Sequence, residues 1–397
     1  MEKEKEEQLN DPKLETVLVL QGGGSLGAYE CGVYKSLYKN GIRFNVLAGS
    51  SIGAVNASII SAAQNTKEAD ASALLEGFWL SLAENMTAAA VTAPLLSSLL
   101  PLPHLSSDKM MAILSSTYSA LYGNPKAFMP KWFMFGSSDY FMPYKWTYLY
   151  DTTPLKETLN QSIDFTKLKR GKSSDIEDKE YSRLIITSTD IQKAEPVIFD
   201  TAHMDIDVDK VIACVGYPFY GVRWIEKDGR YLWDGSLLTN TPMLEVIRRS
   251  PIKDKKFFIV DVFPRQQKEL PENMVEVWHR ARDIIFMDKT DKNIEMLKLN
   301  ERYLSLLRKM YGAINADDAD IDPKTKERLK NIEEEYHHLA RTHSGPITDV
   351  VRVGRREELH FILEDADFSL YRIKKLITEG ERDAERVLVK QKETGTN

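Results

Sequence analysis

The stretch VLAGSSIGAV, residues 46–55, contains the pattern that decides the fold. An apolar run ends at Ala48, Gly-Ser-Ser-Ile-Gly follows as residues 49–53, and a second apolar stretch continues to Ala63. Gly-x-Ser-x-Gly between a strand and a helix places the serine on a sharp turn, with its hydroxyl outside the sheet. A side chain at Gly49 or Gly53 would crowd that crossing. Ser51 is therefore the candidate nucleophile, and a strand–helix turn without chemistry is the alternative.

A glycine-rich loop precedes this turn. Residues 16–20 (TVLVL) are typical of a buried strand, residues 21–27 read QGGGSLG, and a helix is predicted from about 28 to 39. Such a loop leaves backbone N–H groups free at the positive end of a helix dipole. The N–H groups of Gly22, Gly23 and Gly24 are candidates to bind a phosphate or a developing oxyanion.

The same loop also fits the Gly-x-Gly-x-x-Gly pattern of dinucleotide sites, through Gly22, Gly24 and Gly27. That function requires an acidic residue about 20 positions later, where it binds the ribose. The sequence has no Asp or Glu between Glu30 and Glu68. The pattern therefore favours an oxyanion site over a nucleotide site.

A third motif, Trp-Asp-Gly-Ser at residues 233–236, follows strand-like segments at 222–225 and 230–233. Asn240-Thr241-Pro242 then predicts a helix start. Considered alone, Asp234 and Gly235 are typical of a structural turn.

Together the three motifs resemble those of the patatin-like phospholipases, in order and in spacing, over roughly residues 14–265. The resemblance implies a three-layer α/β fold with a mainly parallel sheet and helices on both faces. It also implies that Asp234 acts directly on Ser51 as general base and acid, that Gly22, Gly23 and Gly24 form the oxyanion hole, and that no metal or cofactor is needed. Gly27, Gly49, Gly53 and Gly235 support the motifs.

Two positions depart from the family pattern. Leu26 stands where the family often has Arg or Lys, and Ser236 replaces the usual Gly or Ala. Residues beyond about 346 resemble a microbial subgroup with a C-terminal region of unassigned function. The implied activity is hydrolysis of acyl esters in phospholipids or related lipids.

Two other functions remain open. One is an α/β-hydrolase esterase with a Ser–Asp–His triad, for which His360 is the candidate histidine. The early position of Ser51 argues against it, because that fold places its elbow deeper in the sheet. The other is a lipid-binding or scaffolding protein without catalysis, which the intact motifs disfavour.

The chain divides into four predicted parts. Residues 1–13 form a charged, disordered tail, and 14–265 form the catalytic domain. Within that domain, 75–150 are apolar and aromatic and predict a helical layer, a lid or an acyl groove. Residues 266–397 are charged and helical, with a strand near 348–353 that returns to the sheet. The candidates for the acyl groove are Leu96, Leu99, Phe133 and Met134.

Composition limits the partners. The 397 residues carry a net charge of -6 without a basic block, which argues against nucleic acid. Two cysteines fit a reducing compartment, and no segment has the length and apolar character of a confident membrane span. We expect a cytoplasmic protein that contacts the membrane peripherally at most. The head group, the chain length, the balance of hydrolysis and acyl transfer, and the oligomeric state stay open.

Overall fold

The computed structural model of the chain describes most residues between 14 and 394. The described ranges are 14–83, 107–136, 139–170, 181–250, 254–267, 270–316, 330–332, 334, 336, 347–356 and 364–394. The predicted N-terminal tail, Leu96, Leu99 and His360 lie outside them.

A central sheet of eight strands organises these residues, in the order β10-β9-β1-β2-β5-β8-β7, with β6 paired to β5. Strands β10, β9, β1, β2 and β5 are parallel, and β6, β7 and β8 are antiparallel to their neighbours. A small ribbon pairs β3 with β4. The strands are β1 (Leu14–Leu20), β2 (Val46–Ser50), β3 (Met129–Pro130), β4 (Tyr150–Asp151), β5 (Arg183–Asp190), β6 (Glu195–Asp200), β7 (Ile225–Lys227), β8 (Arg230–Asp234), β9 (Asp254–Asp261) and β10 (Ile347–Gly354).

Helices cover both faces of this sheet. The α-helices, renumbered in chain order, are α1 (Gly27–Lys39), α2 (Ile52–Gln64), α3 (Ala71–Leu82), α4 (Ser107–Tyr122), α5 (Thr153–Ser162), α6 (Val208–Ala213), α7 (Met243–Arg249), α8 (Met274–Ala316) and α9 (Leu370–Thr394). No helix within the described ranges is long and apolar enough to span a bilayer.

Alternating side chains of β1 show the layering. Val17 and Val19 pack with Val246 of α7 and Leu297 of α8 in one apolar cluster. Leu18 and Leu20 belong to the larger cluster on the opposite face, which includes side chains of α1, α2, α3 and α9. The period of two along a strand sends alternate residues to opposite faces. The predicted three-layer α/β fold with a mainly parallel sheet is confirmed.

The C-terminal region joins the sheet and one helix layer. Strand β10 pairs in parallel with β9, and α9 crosses α1 closely. At that crossing, a Cβ atom on Gly32 would overlap the carbonyl oxygen of Ile377, and one on Gly380 would overlap that of Tyr29. Between residues 317 and 346 the structure describes only 330–332, 334 and 336, and these are helical.

Candidate active site

Strands β2 and β8 meet end to end along one edge of β5. Ser50, the last residue of β2, is in register with Thr187, and Asp234, the last residue of β8, is in register with Ser188. Strand β6 occupies the other edge of β5 over the same residues. Because a strand has only two edges, β2 and β8 share one of them and their ends face each other. The register therefore brings Ser51 and Asp234 together although 183 residues separate them in sequence.

Ser51 has a strained backbone. Its φ of 54° and ψ of -130° lie in a region that residues with a side chain seldom adopt. Strain of this kind costs of order 1–3 kcal/mol and persists where the surrounding structure imposes it. A Cβ atom on Gly49 would overlap the carbonyl oxygen of Gly53, and one on Gly53 would overlap that of Leu20. The two glycines therefore allow the sharp strand–helix turn that projects Ser51.

Asp234 is fully buried, and its Oδ1 atom accepts two hydrogen bonds from Ser236. The backbone N–H donates at 2.8 Å and the hydroxyl at 2.7 Å. Burial raises the pKa of Asp234 to about 6, against the lowering effects of Ser51 and Ser236. A Cβ atom on Gly235 would overlap the carbonyl oxygen of Thr187, so this tight passage over β5 requires glycine.

The Asp234 carboxylate lies close to the Ser51 side chain. Oδ2 is buried and accepts no hydrogen bond of good geometry from the described part of the chain, yet the Ser51 hydroxyl is near enough to lower the pKa. Hydrogen bonds between catalytic groups are often poorly aligned without substrate and tighten when substrate binds.

The glycine loop lies beside Ser51, and its N–H groups differ in what they bind. Gly22 donates its N–H to Asn240 Oδ1 at 3.0 Å. Within the described ranges, no acceptor engages the N–H of Gly23 or Gly24. Gly24 has a φ of 59°, which suits glycine. Two of the three predicted oxyanion donors are therefore free, and the third is already used to fix the loop.

Asn240 was not among the sequence-predicted site residues. It is buried and lines the same cavity as Ser51, and its Nδ2 atom has no acceptor among the residues described. The hydrogen bond from Gly22 determines the side-chain orientation, because Oδ1 must face the donor. In the sequence, Asn240 indicated only a helix start.

Gly27 also has a packing role in the loop. A Cβ atom there would lie 2.7 Å from Trp79 Cζ2 and 2.8 Å from Ile52 Cγ1. The start of α1 can therefore approach α2 and α3 closely, which keeps the loop next to the serine turn.

A largely apolar cavity of about 380 Å³ opens above Ser51. Gly22, Gly23, Gly24 and Ser51 are among its lining residues, whereas Asp234 is fully buried and is not among them. The side chains that form the walls come from several elements. They are Ile52, Leu82, Ala120, Ala127, Phe128, Leu149, Tyr150, Thr152, Leu155, Val215, Tyr217, Phe219, Tyr220, Val222, Ser236, Asn240, Phe263, Arg282, Phe286, Asp365, Ala366 and Phe368.

The predicted acyl-groove residues do not coincide with these walls. Phe133 and Met134 are not among the lining residues. Phe133 stacks on Tyr122 with ring centroids 6.2 Å apart, and both side chains are exposed. Leu96 and Leu99 lie outside the described ranges. The apolar region 75–150 instead contributes Leu82, Ala120, Ala127, Phe128, Leu149 and Tyr150.

The described histidines do not supply a triad. None of them is among the residues that line the cavity. His279 is buried, burial lowers its pKa, and neither ring nitrogen has a hydrogen-bond partner in the described ranges. His360, the histidine of the triad alternative, lies outside these ranges.

The fold and site define an α/β protein with a serine on a strand–helix turn beside a buried carboxylate. The model of the patatin-like phospholipase family matches residues 18–247, which is more than half of the chain. The chain belongs to this family, and this membership supports lipid acyl hydrolysis as the general activity. The match ends before α8, β10 and α9.

Three solved structures are similar to the chain at low identity. VipD from Legionella pneumophila is 14% identical with a TM-score of 0.39, over 95% of this chain and 67% of that one. The type III effector protein ExoU is 12% identical with a TM-score of 0.29, over 96% of this chain and 53% of that one. ExoU in complex with SpcU, from the type III secretion system of Pseudomonas aeruginosa, is 14% identical with a TM-score of 0.24, over 94% and 70%. Among curated proteins, none matches significantly.

Proposed function

We propose that this protein hydrolyses acyl esters of phospholipids or related lipids through a Ser51–Asp234 dyad. One observation carries the proposal: β2 and β8 end face to face on β5, which brings the strained Ser51 to a buried carboxylate. The raised pKa of that carboxylate, about 6, lies close to neutral pH, where a general base is most effective.

The reaction has two steps. Asp234 takes the hydroxyl proton while Ser51 Oγ attacks the ester carbonyl, and the tetrahedral intermediate then collapses as Asp234 protonates the leaving alcohol. In the second step Asp234 takes a proton from water, the hydroxide attacks the acyl-serine, and the proton returns to Ser51 Oγ as the fatty acid leaves. Asp234 thus ends each cycle unprotonated.

Gly23 and Gly24 would donate to the oxyanion in both steps. Both residues line the cavity and their N–H groups have no acceptor among the described residues, whereas the N–H of Gly22 is bound to Asn240. A preorganised donor of this kind contributes about 3–4 kcal/mol to transition-state stabilisation. We therefore assign catalysis to two of the glycines and positioning to the third.

The cavity supports a lipid substrate. Its walls are mostly aliphatic and aromatic, and its volume is within the usual range for small-molecule sites. An acyl chain can be buried there while the ester lies over Ser51. We further propose a cytoplasmic location with peripheral contact to the lipid surface, in keeping with two free, buried cysteines.

The test is covalent labelling. A fluorophosphonate probe should modify the wild-type protein at Ser51, as mapped by peptide mass spectrometry, and Ser51→Ala should lose both labelling and hydrolysis of phospholipid vesicles. Ser58→Ala is the matched control, since Ser58 lies in α2 and its hydroxyl only donates to the Ala54 carbonyl. Labelling that persists in Ser51→Ala would refute the assignment.

A further inference from the structure

The C-terminal region contacts the glycine loop directly. A Cβ atom on Gly24 would overlap the carbonyl oxygen of Asp365, so the two backbones touch. The Ser25 hydroxyl donates to the carbonyl oxygen of Glu364 at 3.0 Å, and this contact is buried. The short helical turn Glu364–Ala366 therefore packs on the same three-residue segment that carries the free N–H of Gly24.

A buried ionic cluster fixes this turn. Arg282 Nη1 on α8 donates to Asp365 Oδ2 and to the Tyr220 hydroxyl, both at 2.7 Å, and that hydroxyl donates to Asp365. Glu364 is fully buried, with Arg355 Nη2 at 3.2 Å and Arg372 Nη2 at 3.6 Å. Both carboxylates of the turn are thus paired with arginines.

Arg282 is central to the cluster. Its Nε and Nη2 atoms donate to Asp283, at 3.2 and 2.9 Å, so one guanidinium bridges α8 to the turn. Buried ion pairs do not add much net stability, because desolvation opposes the Coulomb attraction. They do constrain geometry, because a buried charge that loses its partner strongly destabilises the fold.

A second contact also connects the C-terminal region to the glycine loop. Helix α9 follows the turn and crosses α1, which begins where the glycine loop ends, and the Tyr29 hydroxyl donates to Asp383 at 3.2 Å. The loop is therefore packed against C-terminal elements on both sides of Gly27. On the C-terminal side of these contacts, Arg282, the turn Glu364–Ala366 and α9 all lie outside the span of the family match, whereas the glycine loop, Tyr29 and Tyr220 lie within it.

We propose that Arg282 is a positioning residue, which holds the turn Glu364–Ala366 against the glycine loop and thereby sets the direction of the Gly24 N–H. The C-terminal region then completes the oxyanion site that the family-matched domain begins. This inference rests on the proposed hydrolase function.

The test compares Arg282→Gln, Tyr220→Phe and Ser25→Ala with wild type on a soluble short-chain ester. Misplaced donors reduce stabilisation of the transition state alone, so kcat should fall about tenfold or more in Arg282→Gln and about threefold in each milder variant. KM should stay within about twofold in Ser25→Ala, because Ser25 does not line the cavity. Hydrogen exchange should become faster in peptides covering residues 21–27. Tyr220→Phe and Ser25→Ala each remove a single hydroxyl, so they test the idea even where Arg282→Gln does not fold.

Arg183→Gln is the matched control. Arg183 forms a buried two-bond pair with Asp200, at 2.9 and 2.7 Å, and lies at the start of β5, far from the end that faces Ser51. It should lose stability with kcat unchanged in the folded protein. An equal loss of kcat in Arg183→Gln, or a rise in KM with unchanged kcat in the Arg282 series, would overturn the inference.

The experiment distinguishes failure of the proposed hydrolase function from failure of the positioning role of Arg282. If wild-type protein shows no Ser51-dependent hydrolysis, the dyad is wrong, yet the exchange measurement on residues 21–27 still reports whether Arg282 orders the loop. If wild type is active and both kcat and loop exchange are unchanged in all three variants, only the positioning role is refuted.

Discussion

At the scale of single residues, the protonation of Asp234 should control activity. Burial raises its pKa to about 6, and only the charged form can accept the proton of Ser51. We expect kcat/KM for a soluble ester to rise with pH and to reach half its maximum near pH 6. Asp234→Asn should lower kcat/KM by about 10²- to 10⁴-fold and remove the acid limb. If the residual kcat/KM of Asp234→Asn still rises to half its maximum near pH 6, this carboxylate is not the titrating base.

The same pKa has the opposite effect on stability. A carboxyl whose folded pKa exceeds its usual value near 3.8 stabilises the fold below pH 3.8 and loses this contribution as pH rises through about 6. Asp261 behaves in the same direction, because burial raises its pKa to about 6 as well. Asp261 does not line the cavity. Activity and stability should therefore change in opposite directions over this pH range.

Ser236 gives a sharper test, because its hydroxyl stabilises the charged form of Asp234. It donates to Oδ1 at 2.7 Å, and the family's usual Gly or Ala could not. A hydrogen bond to a charged group contributes about 1.5–3 kcal/mol, so Ser236→Ala should move the acid limb up by about one pH unit or more. Activity at pH 9 should change little. An unchanged acid limb in a folded Ser236→Ala variant would contradict this role.

The fold class was predicted from the sequence and is confirmed, whereas the catalytic roles of Ser51 and Asp234 stay predictions. The reason that both motifs could be found in the sequence is local. The Gly-x-Ser-x-Gly and Asp-Gly turns require glycine at positions where a Cβ atom would overlap a neighbouring backbone atom. The glycines in these motifs therefore indicate the tight turns in the sequence itself. The roles of Asn240 and Gly22 were not predictable. Their hydrogen bond joins positions 218 residues apart, and nothing local distinguishes a loop N–H that is free from one that is bound.

At the scale of elements, the crossing of α1 and α9 should depend on its glycines. A Cβ atom on Gly380 would overlap the backbone oxygen of Tyr29, which cannot move without shifting α1. Gly380→Ala should therefore destabilise the protein by about 1–3 kcal/mol or more. Gly77 in α3 is the matched control, because a Cβ atom there meets nothing within 4 Å. Gly77→Ala should stabilise by up to about 1 kcal/mol.

Chemical denaturation of both variants measures these changes. Equal stability of Gly380→Ala and wild type would mean that α9 can shift away from α1 at little cost. The close crossing would then not be needed to hold the glycine loop in place. The crossing could not be predicted from sequence, because the spacing of α9 shows only one apolar face and does not identify the helix on which that face packs.

Elements also explain why Phe133 and Met134, which were predicted to line an acyl groove, are not among the residues that line the cavity. Composition identified region 75–150, and six of its residues do line the cavity. The choice of individual side chains depends on turns such as the one at Pro130, which directs Phe133 toward Tyr122 at the surface. Periodicity gives no information on such short, irregular segments.

At the scale of the whole molecule, the residues that line the cavity come from widely separated parts of the described chain. The loop after β1, the turn after β2, the segment before β4, the loop after α6 and the C-terminal turn all meet there. Ligands of open α/β sheets bind beyond the carboxyl ends of the parallel strands, and both the glycine loop and Ser51 follow such ends. The C-terminal region is therefore part of this site's wall.

Three exposed aromatic side chains, here called the aromatic surface, lie on one segment that leads to a residue of the cavity wall. Phe135, Phe141 and Tyr144 are 70%, 88% and 81% exposed, and they lie on the segment between β3 and β4. That segment ends at Leu149, which lines the cavity and packs on Gly221. Phe219, 68% exposed, lines the cavity from the neighbouring loop. Aromatic side chains in this position suit insertion into the boundary between lipid head groups and acyl chains.

This surface predicts a difference between two substrates. Phe141→Ser should weaken binding to phospholipid vesicles about tenfold, equivalent to about 1.4 kcal/mol, and lower vesicle hydrolysis accordingly. Hydrolysis of a soluble short-chain ester should stay within about twofold, because Phe141 does not line the cavity. Co-sedimentation and the two assays measure these effects. Tyr303→Ser is the control, since Tyr303 is also exposed but lies about 25 Å along α8 from Phe286 at the cavity. If Phe141→Ser and Tyr303→Ser bind vesicles equally well, the aromatic surface does not face the lipid, and the ester must reach Ser51 by another approach.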